Sequence, residues 1–103
     1  EGVSAYAIGK PRRHEMPLRI ASQRALVFGD SVVGTAEGLR VWEQIDGNAR
    51  RERWYAERFL PTLEPLAILD IDRVLVTHGP SVIRGGRRAL RDALAQPPWH
   101  HRS

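Results

Sequence analysis

A mixed α/β fold is what this sequence predicts, on three observations. Two apolar runs, Ala25 to Phe28 and Val74 to Val76, end at glycine-containing corners and read as buried strands. Between them, Trp54, Tyr55, Phe59 and Leu60 recur in a charged stretch at the spacing of one helical stripe. A further helical pattern closes the chain, so strands and helices alternate along it. At 103 residues, 42% hydrophobic and 27% charged, the chain suits one small domain. That domain is expected to span residues 1–96, with 97–103 as a flexible tail.

Val3 to Ile8 is short, partly alternating and stopped by Gly9 and Pro11, which predicts a strand and then a loop through Arg12, Arg13 and His14. Leu18 to Ala21 and Ala25 to Phe28 flank the polar corner Ser22-Gln23-Arg24 and predict a hairpin, its second strand apolar on both faces. Three glycines interrupt Val32 to Gly47, so a loop with short helical pieces is expected there. A helix is expected from Asn48 or Ala49, ended or restarted by Pro61, with a second one carrying Leu63, Leu66 and Ala67. Arg73 to Thr77 is a β-branched strand that stops at His78-Gly79-Pro80. The last helix is expected from Gly86 to Ala95, its apolar stripe formed by Ala89, Leu90, Ala93 and Leu94 and its end set by Pro97.

Composition excludes several function classes. The chain has no cysteine, which rules out disulfide scaffolds and thiolate zinc motifs. No apolar run approaches the roughly 20 residues that cross a bilayer, so a soluble, cytoplasmic protein without a membrane partner is expected. Net charge is +4, but fifteen of the sixteen basic residues are arginine, a skew that genomic base composition explains without phosphate contacts. Nucleic-acid binding, for which Arg50, Arg51, Arg53 and Arg58 beside Trp54 and Tyr55 are the best candidates, therefore ranks third among the functions considered. The chain begins at Glu1 and its single methionine is Met16, which suggests a trimmed or partial polypeptide.

Two residues combine chemistry with position. Asp30 and His78 each follow a buried apolar strand, beside Gly29 and Gly79 respectively. Ligands in layered α/β folds gather outside the carboxyl ends of strands, and a neighbouring glycine lets backbone come close. The plainer reading of each is a turn residue. His14 is a further candidate ligand, against an exposed loop histidine; Glu15 is a possible oxygen donor that nothing local requires. His100 and His101 fall in the tail. Arg84-Gly85-Gly86-Arg87-Arg88 offers a helix start to an anion, though a bend explains its glycines equally well. Ser31 lies in no nucleophile elbow.

Arg24-Ala25-Leu26-Val27-Phe28-Gly29-Asp30, followed later by Val74-Leu75-Val76-Thr77-His78-Gly79, resembles the C-terminal half of the metallo-β-lactamase fold superfamily. The resemblance implies half of an αββα sandwich, a mixed sheet with helices on one face. It implies a metal-dependent, zinc-type hydrolase in which Asp30 bridges two ions and His78 ligates the second, the substrate being unspecified. The family's His-x-His-x-Asp-His string is absent and its Gly-His-Thr-Pro-Gly-like loop is not preserved around His14. Zinc or another divalent ion is therefore expected only when N-terminal ligands are present, and the chain by itself is expected to be inactive. The alternative is an inactive interaction module that keeps only this layer. Either way a missing N-terminal half or a second copy is expected to cover an open apolar sheet face. A shared ion further requires a carboxylate oxygen of Asp30 and an imidazole nitrogen of His78 about 3 to 5 Å apart, on neighbouring, nearly parallel strands.

Overall fold

A computed structural model describes residues 2–9, 15–43 and 47–99. The fold is mixed α/β. Strand β1 (Val3–Ala5) pairs antiparallel with β2 (Leu18–Ile20), and β2 pairs antiparallel with β3 (Ala25–Val27). The β2–β3 corner is a single 3-10 turn, Ala21–Gln23, closed by Arg24 in the left-handed region at φ 46°. Below, β6 (Arg73–Leu75) lies parallel to β3, giving the order β1-β2-β3-β6. The Arg24 carbonyl accepts from the amides of Asp72 (2.7 Å) and Arg73 (3.0 Å), and so sets where β6 enters the sheet.

The segment from Val32 is a hairpin and not the loop with helical pieces that its glycines suggest. Strand β4 (Val32–Thr35) pairs antiparallel with β5 (Gly38–Val41) as a separate two-stranded sheet. The hydroxyl of Thr35 donates to the Gly38 carbonyl and accepts from the Glu37 amide, which closes the turn. Val32, Leu39 and Val41 are buried in the core, a period-2 signal that the glycines had interrupted.

Asn48 starts helix α1 (Ala49–Trp54) as expected, its side-chain oxygen accepting from the amides of Arg50 (3.0 Å) and Arg51 (3.1 Å). Asn48→Ala is expected to cost about 1 kcal/mol, read as a lowered urea midpoint with an unchanged m-value. Pro61 lies in the first turn of the second helical segment, as expected, but without a break in the chain's helical course. A π turn over Tyr55–Phe59 precedes it, with the Leu60 amide bonded to the Tyr55 carbonyl, and the chain runs on through α2 (Leu60–Leu63) into a 3-10 segment, Glu64–Ile68. The wider turn brings Trp54 and Phe59, five positions apart, into a stack at 5.1 Å and sets Tyr55 edge-on to Phe59 at 5.8 Å. Helix α3 (Gly86–Leu94) closes the fold and buries Leu90 and Ala93.

The π turn, α2, the 3-10 segment and α3 pack against the four-stranded sheet. Leu26, Phe28 and Val74 meet Phe59, Leu63, Leu66 and Leu90 there in a single core. Side chains alternate along strands, so Val3, Ala5, Leu18, Ile20, Val27 and Leu75 share the opposite face with Ala25 and Arg73, all exposed or half-buried except Ala25, which is buried. The expectation that β3 is buried on both faces holds for Leu26 on the helical side and for Ala25 on the other, where Val27 is half-buried. On the other side Val3 is 58% and Leu18 40% exposed.

Past residue 96 the chain makes contacts with β5 as far as Trp99. The Trp99 amide donates to the Val41 carbonyl (2.7 Å), the Glu43 amide to the Trp99 carbonyl (3.1 Å), and the Arg40 guanidinium both donates to the Pro97 carbonyl and lies over the Trp99 ring. The edge of β5 and an aromatic ring beside a cation outweigh the tail's proline content. His100 and His101 lie outside the described residues. No described helix is long and apolar enough to cross a membrane.

Candidate functional site

The parallel pairing of β3 with β6 decides the site's geometry. Parallel neighbours end at the same edge of a sheet, so the loops that follow them meet although 48 positions separate Asp30 from His78. The Phe28 amide donates to the Leu75 carbonyl (2.9 Å) and carries the pairing one step beyond the strands. The Thr77 hydroxyl then donates to the Gly29 carbonyl (3.0 Å) and ties the two loops together.

At that edge Nε2 of His78 lies 3.1 Å from Oδ1 of Asp30, inside the range expected of two groups facing one ion. Both side chains are open to solvent, His78 at 66% and Asp30 at 80%. A contact between side chains so exposed contributes at most about 1 kcal/mol to stability. The fold therefore gains little from this contact, yet the backbone around it is tightly held.

Two structures hold it. Beneath His78, the Gly34 amide of β4 donates to the His78 carbonyl (2.8 Å), and Gly34 and Gly79 stack backbone on backbone with no room for a Cβ on either. Gly79 also stands at φ 79°, a left-handed conformation that glycine adopts without strain. Beneath Asp30, Glu15 reaches across from the start of the strand that becomes β2. One of its oxygens accepts from the Gly29 amide (2.8 Å), and the other from the amides of Asp30 (3.0 Å) and Ser31 (2.8 Å).

The candidate His14 lies outside the described residues. Glu15, considered as an oxygen donor, has its two oxygens engaged by backbone amides. Among the described residues no three His, Cys, Asp or Glu side chains are grouped closely enough to hold a metal ion. The arrangement thus offers two adjacent donors, one carboxylate and one imidazole, on a rigid and accessible edge. Sequence reasoning missed Glu15 as a support and Gly34 altogether. The signal for Glu15 was available in the hairpin register: Leu18 faces Val27, and the same register continued three steps beyond the strands would set Glu15 opposite Asp30.

No protein-family model matches the chain, and no curated protein matches it in sequence.

Proposed function

We propose that this domain contributes Asp30 and His78 to a divalent-metal site of a hydrolase, the remaining ligands coming from a second layer seated on the open sheet face. The observation that carries the reading is the 3.1 Å approach of Asp30 Oδ1 to His78 Nε2 at the carboxyl ends of two parallel strands. Adjacent donors at the roughly 2.0 to 2.1 Å typical of zinc are about 3 to 3.4 Å apart, so this pair fits neighbouring positions around one ion. A hard carboxylate beside a neutral imidazole also suits zinc-like ions.

When bound, such an ion supplies a Lewis acid and a water acidic enough to act as a nucleophile near neutral pH. The chain's own residues do the positioning. Asp30 and His78 offer acceptor atoms at fixed spacing, the Thr77 to Gly29 bond keeps the loops together, and the stacked glycines hold His78 in place. The resemblance of Gly29-Asp30 and His78-Gly79 to the metallo-β-lactamase superfamily supports the same assignment, with Asp30 as the bridging ligand.

The open face favours a second reading, a catalytically inactive interaction module. A face carrying Val3, Ala5, Leu18, Ile20, Val27 and Leu75 suits a further layer or a second copy whether or not chemistry takes place beside it.

Titration with Co2+ followed by NMR separates the two. Two donors fall short of the three protein ligands of a catalytic zinc, so binding weaker than about 1 μM is expected, centred on Asp30 and His78. Asp30→Ala should abolish it and His78→Ala should weaken it. Resonances at both residues unmoved by millimolar Co2+, or undiminished binding in Asp30→Ala, would leave the interaction module as the better account.

A further inference from the structure

We infer that Glu15 is the positioning residue of this site, a built-in anion that holds the loop presenting Asp30. The proposal rests on the metal-site reading only for what Asp30 goes on to do, not for how Asp30 is held.

Three consecutive amides, those of Gly29, Asp30 and Ser31, converge on one carboxylate at 2.8 to 3.0 Å. Successive backbone N–H groups curled in this way form a concavity selective for anions. Left unfilled it would expose three donors at the end of a buried strand, and the loop would be at liberty to turn toward other acceptors. Glu15 fills it from the chain's own sequence. Bonds to a charged acceptor are roughly twice as strong as neutral ones, and both oxygens are used, so the carboxylate is fixed as well as the loop.

The consequence falls on Asp30 because its own amide is the middle one of the three. Fixing the amides on either side leaves the Asp30 backbone one orientation, from which its side chain meets His78. The contact with His78 is too exposed to hold that orientation alone. A carbon added at Gly29 would come no closer than 3.4 Å to the Glu15 carboxyl, an ordinary contact. Glu15 also adds a second negative charge beside Asp30, which favours a cation at the edge and disfavours an anion.

Amide hydrogen exchange and NOE measurements on the metal-free full chain test this. Glu15→Ala is expected to lose about 10- to 100-fold protection at residues 29–31, as removing charged hydrogen bonds implies. The NOE between the side chains of Asp30 and His78 should vanish, while protection at Leu26, Val74 and Leu90 stays. Acetate at high millimolar concentration should refill the cradle and restore both signals, which a residue acting through packing alone would not permit. The near-isosteric Glu15→Gln, whose amide group places a donor against a donor, should show the same local loss, and serves if the alanine variant does not fold. Retained protection and NOE in either variant would overturn the inference. So would local loss that acetate fails to reverse, or protection lost evenly across the whole chain in both. These outcomes do not depend on metal: a wild-type chain indifferent to Co2+ would defeat the metal-site reading and leave the role of Glu15 standing.

Discussion

Gly34→Ala is expected to destabilise the fold by about 3 kcal/mol or more, a large part of the roughly 5 to 15 kcal/mol that holds a domain together. The added methyl would fall inside the contact distance of the Pro80 carbonyl and 2.7 Å from the Pro80 nitrogen, and backbone cannot swing aside as a side chain can. Relief requires β4 to move from the His78-Gly79-Pro80 loop, which breaks the Gly34 to His78 hydrogen bond. Loss of stability and loss of the Asp30–His78 contact should therefore appear together. Gly29→Ala is the control: its methyl meets only ordinary contacts, so a change under about 1 kcal/mol is expected. Urea denaturation of both variants measures the difference. Equal and small effects would show that β4 does not bear on the site.

Phe59→Ala is expected to cost roughly 3 to 5 kcal/mol, because the ring is fully buried, stacks on Trp54 and receives Tyr55 edge-on. The effect should go beyond a simple cavity. The π turn exists in a setting where Trp54, Tyr55 and Phe59 all find aromatic partners, and without the central ring that preference disappears. Near-ultraviolet circular dichroism should lose its aromatic signal at denaturant concentrations where the helical signal persists. A stability change below about 1 kcal/mol would mean that the aromatic cluster does not organise this corner.

What the sequence made legible follows from where its signals are local. The β2–β3 hairpin, β6, α3 and the Asn48 cap each carry their evidence within a few residues, as alternation, a β-branched run, an apolar stripe or a side-chain oxygen before a helix. The meeting of Asp30 with His78 was legible too, since both stand at the ends of apolar strands and parallel pairing brings such ends together. The rest depends on partners distant in the chain. Gly34 and Gly38 read as loop punctuation because Val33 hides the alternation of β4 and Gly34 stands where its next core-facing side chain would be, and only Pro80 explains why residue 34 has no side chain. Trp99 docks on β5 through backbone groups that composition does not reveal. Glu15 reads as one charged residue among many until the hairpin register sets it opposite Asp30.

The parallel pairing of β3 with β6 has a consequence for the order in which the molecule assembles. A hairpin such as β2–β3 closes over a few residues and forms within about microseconds. The β3–β6 pair must first gather the intervening hairpin and the whole helical run, and non-local pairings of that kind are reached slowly. Asp30 and His78 are thus strangers through most of folding and neighbours only when the crossover docks. A ligand that needed both residues would bind a single species, the fully assembled chain, and would draw the folding equilibrium toward it.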